Sequence, residues 1–164
     1  MPTILDAGRP ATPGMDGTSF LPLLDGQEQP GRDHVLTVFH KTAGRKSYPM
    51  PCLRERRLGY IYNSWADGKT AFHNESQSGL SMKAMEKAAE DNPRIAQRVQ
   101  IFLYRVSEEL YDFSKDPDAL HNLVNDPAYR QDIRSMRQKM LAWMVQKEDP
   151  LQPVFRSYLE SKPV

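Results

Sequence analysis

Cysteine is almost missing from this chain. Cys52 is the only one among 164 residues, which excludes an intrachain disulfide framework and any metal site built from several thiolates. Long apolar runs are missing too. No stretch approaches the roughly 18 apolar residues of a membrane-spanning helix, and the first residues lack the basic segment followed by an apolar stretch that marks a secretory signal. Neither sign of charge dominates: 22 Lys and Arg against 21 Asp and Glu leave a formal net charge of +1. The whole-chain field therefore gives no reason to expect a nucleic acid or another polyanion, and any such argument must be local. Internal repeats and low-complexity segments are absent as well. What is present is 39% hydrophobic content, enough for one modest core or for a small domain plus part of another.

The chain opens on Met-Pro-Thr-Ile-Leu-Asp, with Pro2 at a first-turn position and Ile4 and Leu5 already apolar, as in a helix start. So abrupt an opening suggests that Met1 is an internal methionine of a longer protein, the alternative being a short protein with an early helix. Gly8 to Gly17 is rich in turn formers and reads as a surface connection. Ser19 to Leu24 is a short apolar patch, and the polar stretch Asp25 to Asp33 marks a subdomain boundary.

Val35, Leu36, Val38 and Phe39 predict a strand over 34–40, followed by a loop from Lys41 to Pro51. Leu53 to Asn63 reads as strand, tight turn and strand, with the turn near Glu55-Arg56 and Leu58, Tyr60 and Tyr62 on one face at period two. Asp67-Gly68 is a turn. From Ser81, read as the cap, the apolar spacing becomes helical through Met82, Met85 and Ala89, and Pro93 starts a second helix with Ile95, Val99 and Phe102 or Leu103. Glu109 to Asp112 is short and β-like, and Lys115 to Asp118 is a turn. A last helix, capped by Asp126 with Pro127 at its first position, carries Ile133, Met136, Met140, Leu141 and Met144. These elements predict an α+β fold: a small antiparallel sheet of three or four strands packed on helices near 82–103 and 127–147.

Four segments, in order along the chain, carry a family resemblance. Residues 1–6 with Met15-Asp16-Gly17-Thr18-Ser19 and Leu21-Pro22-Leu23-Leu24 are similar to the closing helix and loop of a sulfatase catalytic domain. Tyr48-Pro49-Met50 and the Leu53 to Asn63 hairpin resemble a stretch of heparan N-sulfatase-like (sulfamidase) proteins. Glu109-Leu110-Tyr111-Asp112 with Asp116-Pro117 and Asn122-Leu123 resembles a signature of sulfatase C-terminal subdomains, and Trp143-Met144 with Asp149-Pro150 the end of their last helix. Four segments in family order are far more specific than any one of them.

The resemblance implies that residues 1–26 are the end of an alkaline-phosphatase-like sulfatase catalytic domain, 27–150 a C-terminal α+β subdomain and 151–164 a tail. It implies a partner, the missing N-terminal sulfatase domain, and a periplasmic, secreted or lysosomal location. At the edge of a missing domain, Ile4, Leu5, Phe20 and Leu23 should be less covered than core residues normally are. In the full-length family the resemblance implies a formylglycine, made within a C/S-x-P-x-R motif, and a calcium ion. Cys52 is followed by Leu53-Arg54-Glu55-Arg56, which is not that motif, and Asp91-Asn92 lies before Pro93 as a helix cap would rather than as a metal-binding pair.

Substrate contacts are the role left to this chain. The loop before Tyr48-Pro49-Met50 corresponds to one that faces the family's pocket, and His40, Lys41, Arg45 and Tyr48 are its candidate contacts to a sulfated glycan, with Lys46 beside them. The plain alternative is a solvated basic loop. Pro51 stands where the family usually has Arg. Arg54, Arg56 and Arg57 read as a wet sheet face, and Asp112, Asp116 and Asn122 as scaffold. Three readings follow: a sulfamidase-like hydrolase acting on N-sulfated glucosamine, a stand-alone glycan-binding or interaction module, and an arylsulfatase-like or phosphonate-hydrolase-like relative.

Overall fold

The computed structural model describes residues 2–8, 14–15 and 17–162, which fall into two compact units, 1–34 and 35–164. In the first, α1 (Pro2–Gly8) and α2 (Leu21–Leu24) are short. The Phe20 amide donates to Thr3 Oγ1 at 3.1 Å, and Arg32 Nη2 reaches the carbonyls of Thr18 and Ser19. None of the described residues in this unit is buried. Ile4 is 72%, Phe20 46% and Leu23 42% exposed, and Leu5 is half-buried, the thin cover expected of these positions. Most of the turn-rich connection between Gly8 and Gly17 lies outside the described residues.

The second unit is built on a four-stranded sheet in the order β1 (His34–Lys41), β2 (Ser47–Glu55), β3 (Leu58–Tyr62) and β4 (Glu108–Asp112). β3 pairs antiparallel with β2, Leu53 opposite Tyr60, and with β4, Tyr60 opposite Leu110. Two sequence expectations are corrected here. The turn between β2 and β3 falls on Arg56-Arg57, one residue later than expected, and the stretch read as loop through Pro51 is strand from Ser47 onward. The two prolines explain both the misreading and the outcome. Pro49 and Pro51 are two apart, so both missing N–H groups lie on the same edge of β2, and the ladder to β3 spans only Cys52 to Arg54.

The alternation of β3 sends Leu58, Tyr60 and Tyr62 to one face, together with Leu53 and Leu110. That face packs on α5 (Arg130–Gln146), whose Ile133, Met136, Met140 and Met144 recur at helical spacing and are all buried. Each such side chain contributes about 1.5–3 kcal/mol on leaving water. A single 3₁₀ turn, Pro127–Tyr129, precedes α5, and Asp126 caps it by accepting from the Ala128 amide at 2.9 Å. A further helix, α6 (Gln152–Ser161), lies where the sequence reading has only a tail. Its Phe155 is fully buried and meets Tyr62 with ring centroids 4.6 Å apart.

Between β3 and β4 lie α3 (Leu80–Ala89) and α4 (Pro93–Leu103). Asn92 caps α4, its Oδ1 accepting from the Arg94 and Ile95 amides. Ser81 is not the cap of α3, because the helix starts one residue earlier, on Leu80, with Gly79 at its N-cap. The outer edge of β4 is closed by a side chain: Asn122 Oδ1 accepts from the Leu110 amide at 2.9 Å while its Nδ2 donates to the Glu108 carbonyl at 3.0 Å. One amide thus mimics a strand neighbour. On the other face of the sheet the Arg54 guanidinium stacks 3.5 Å from the centre of the Phe113 ring. A Cβ at Gly59 would sit 2.7 Å from that ring, so only glycine lets it lie there.

Candidate functional site

β1 and β2 form a hairpin whose tip carries the cations singled out above. The Thr42 amide donates to the Lys46 carbonyl at 3.0 Å and the Arg45 amide to the Thr42 carbonyl at 2.9 Å. Ala43 and Gly44 therefore occupy the turn, and Arg45 sits in the left-handed region at φ 61°, the bulge position of a three-residue hairpin loop. His40, Lys41, Arg45 and Lys46 are all exposed. A tight turn thus displays one imidazole, two ammonium groups and a guanidinium to solvent, a set able to bind sulfate or carboxylate oxygens.

Tyr48 has a different position from the other candidates. It is 5% exposed and packs edge-on against Trp65 and Phe72, each with a centroid distance of 4.8 Å. Its hydroxyl donates to the Ala71 carbonyl at 3.4 Å and accepts from the His73 amide at 3.2 Å. Phe72 also meets Phe39 and Phe102, so these rings make a second small core under the hairpin. Tyr48 holds the hairpin to the segment 71–73, while His40, Lys41 and Arg45 are exposed. A second tether acts at the tip, where Glu75 Oε1 accepts from the Ala43 amide at 2.9 Å.

Sequence reasoning missed Glu75 and the segment around it. A signal existed: Asn74 and Gln77 stand three apart in a capping box on the 3₁₀ turn Glu75–Ser78, which fixes where the Glu75 side chain starts. Nothing local shows that this side chain meets a backbone amide 32 residues away.

The buried polar groups in and beside β4 serve the scaffold. Glu108 is 5% exposed and accepts from Arg137 Nε and Nη2, at 2.7 and 2.6 Å, and from the Tyr60 and Tyr158 hydroxyls. Burial pushes its carboxyl up, but the Arg137, Tyr60 and Tyr158 bonds outweigh this and hold it below its ordinary 4.5. Asp112 is fully buried and is held well below the usual carboxylate range by Ser114, against burial and with help from Tyr129 and Arg57. Arg57 bridges Asp112 at 2.7 Å and Asp132 at 3.0 Å, and Asp116 accepts from the Leu120 and His121 amides.

Burial pushes the Cys52 thiol up, against a hydrogen bond with Thr37, the opposite of what an activated nucleophile needs. Among the described residues no three His, Cys, Asp or Glu side chains converge as a metal ion would require. Asn92 is engaged as a helix cap. These residues do not fit the calcium and formylglycine that the family resemblance implies. Among the described residues no helix is long and apolar enough to cross a membrane.

No model of a known protein family matches the chain. Among curated proteins it is similar to an ulvan-active sulfatase of Formosa agariphila, 28% identical over 156 residues, which are 92% of this chain and 29% of that protein. It is also similar to human N-sulphoglucosamine sulphohydrolase, 25% identical over 143 residues, or 83% of this chain and 27% of that one. Of solved structures, a putative sulfatase from Bacteroides thetaiotaomicron superposes with a TM-score of 0.60 at 21% identity, covering 93% of this chain and 25% of the other. A protein solved in complex with its substrate, D-glucosamine-2-N,6-O-disulfate, gives 0.59 at 15% identity over 91% of this chain and 24% of its own. The likeness to the solved structures is one of fold. The chain spans between a quarter and a third of the length of the curated relatives it matches.

Proposed function

The chain is sulfatase-like, corresponding to a C-terminal part of those proteins, and we propose on that premise that its hairpin supplies substrate contacts to a full-length hydrolase acting on N-sulfated glucosamine of heparan-type glycans. The observation that carries the reading is the hairpin itself: His40, Lys41 and Arg45 exposed on a tight turn that is tethered at both Tyr48 and Glu75. Cations on a fixed frame lose little freedom when they take sulfate or uronate oxygens. The name of the human relative, an N-sulphoglucosamine sulphohydrolase, supports the substrate class.

In this reading the nucleophile and metal come from a preceding sulfatase domain that partners the chain, since Cys52 and the carboxylates found here do not fit those roles. The chain alone is then inactive. A turnover assay on an N-sulfated disaccharide, with calcium calorimetry alongside, should show neither hydrolysis nor tight calcium binding by 1–164, and measurable turnover would sink the assignment. In the full-length protein His40→Ala should lower kcat/KM about tenfold with little change in unfolding temperature, a loss expected for one charged or polar substrate contact. Arg45→Gly gives a sharper test. Relief of the left-handed Arg should stabilise the hairpin by about 0.5–1 kcal/mol, while removal of the guanidinium lowers kcat/KM.

A second reading has one observation in its favour: the ulvan-active sulfatase matches over more of the chain and at higher identity than the human protein. The same hairpin would then serve another sulfated polysaccharide. Parallel assays on N-sulfated and O-sulfated oligosaccharides separate the two.

A further inference from the structure

The segment 71–77 touches the hairpin at two places, yet no family motif singled it out. Tyr48, at the start of β2, takes the His73 amide on its hydroxyl, and Ala43, at the tip, gives its amide to Glu75. The His73 ring of the same segment is exposed. Its hydrogen-bonding state follows from Gln77. The Gln77 Nε2 donates to the Phe72 carbonyl at 2.6 Å, which fixes which end of that amide is nitrogen. Its Oε1 therefore lies 3.0 Å from His73 Nδ1, and it also accepts from the Asn74 amide at 3.3 Å. An amide oxygen only accepts, so His73 Nδ1 carries the hydrogen, and in the neutral ring Nε2 is left as a lone-pair acceptor.

We propose that the segment 71–77 is the second half of the ligand surface: Glu75 is a positioning residue for the hairpin tip, and His73 presents Nε2 as an acceptor for a sugar hydroxyl. The proposal rests on the glycan-binding reading of the hairpin and deepens it. The division of labour is chemical. Lys41, Arg45 and Lys46 offer donors to sulfate oxygens, whereas a lone-pair acceptor repels those oxygens and binds an O–H. The composite surface therefore favours a sulfated sugar over inorganic sulfate, a distinction that the cations alone do not make. Glu75 acts through Ala43. While its carboxylate takes that amide, the turn carrying Gly44 and left-handed Arg45 has a defined place, and the guanidinium starts from a fixed point.

Isotope-labelled 1–164 titrated with an N-sulfated glucosamine disaccharide, and separately with inorganic sulfate, tests both halves. Ring nitrogen shifts should show His73 with hydrogen on Nδ1, and the opposite tautomer would overturn its assignment. His73→Ala should weaken disaccharide binding about fivefold and leave sulfate binding unchanged. Equal loss for both ligands, or loss for neither, would reject the hydroxyl-acceptor role. Glu75→Ala should speed exchange of the Ala43 amide more than tenfold and weaken both ligands, with Glu75→Gln, which keeps an acceptor oxygen, restoring most of each. Unchanged exchange in Glu75→Ala would reject the positioning role whether or not sugar binds. If His40→Ala and Arg45→Ala weaken disaccharide binding while the His73 and Glu75 variants do not, the hairpin reading stands and this one fails. Absence of any disaccharide-induced shift over 40–48 sinks both.

Discussion

Single residues in this protein gain their properties from a few buried polar contacts, and the Glu108–Arg137 pair is the clearest case. Glu108 is 5% exposed, and its two oxygens are satisfied by Arg137 with two tyrosine hydroxyls. Arg137→Met would leave that carboxylate buried without its cation, a change that costs about 3–5 kcal/mol, measurable as a lowered urea midpoint. Adding Glu108→Gln in the same chain should recover much of the loss, because no buried charge then remains. The pair also sets a pH dependence. Glu108 and Asp112 both titrate below their ordinary values of 4.5 and 3.8 in the folded chain, so the unfolded state binds more protons in the acid range. Their stabilisation is full above about pH 4.5 and is lost as pH falls through the folded values. Circular dichroism melts between pH 7 and 2 should show stability falling only below that point, and less steeply in Glu108→Gln.

At the scale of elements, the two edges of the sheet are treated differently. β4 is closed by Asn122, whose side chain satisfies an amide and a carbonyl of the strand at once, and the Leu123 amide adds a bond to the Leu110 carbonyl at 2.8 Å. β1 is the other end of the sheet order. Asn122→Ala should therefore cost more than a typical surface change, about 1–3 kcal/mol, since two backbone groups of a buried strand lose their partner. Native-state hydrogen exchange gives the specific check: the Leu110 amide should lose protection well before the amides of β3. Uniform loss across the sheet would mean that Asn122 acts on global stability rather than on the edge. The hairpin between β1 and β2 is held by the same kind of device, a side chain from a distant segment, Glu75, meeting the backbone of a turn.

For the whole molecule, the core of the second unit is closed by a helix that sequence reading assigns to a tail. Phe155 of α6 is fully buried against Tyr62, and Tyr158 meets the same ring and bonds Glu108. Phe155→Ala should cost about 3–5 kcal/mol and lower the unfolding temperature by roughly 10 °C, as thermal melts would record. A tail residue would change it by less than a degree. The first unit contrasts with this. None of its described residues is buried, and Ile4 and Leu24 are 72% and 68% exposed. Among the described residues the core lies in the second unit, with β2 to β4 on one side and α5 and α6 on the other.

The sequence by itself determined what depends on neighbours within a turn or two of chain. Leu58, Tyr60 and Tyr62 alternate because side chains in a strand do, and Ile133, Met136, Met140 and Met144 recur because a helix turns every 3.6 residues. Asn92 and Asp126 cap helices because a short polar side chain reaches amides two or three residues on. In the candidate site, the cations at 40–46 were legible as a basic turn. Their frame was not. That Tyr48 is buried, that β2 runs through two prolines and that Glu75 reaches the Ala43 amide are decided by which segments meet in space. A hydrogen bond between residues 32 apart leaves no periodic trace in either segment, because the packing beside it belongs to contacts of Tyr48 with Trp65 and Phe72 and of Phe72 with Phe102, all distant in the chain from the turn or from one another. Only the tertiary structure could therefore place Tyr48 beneath the hairpin and Glu75 at its tip.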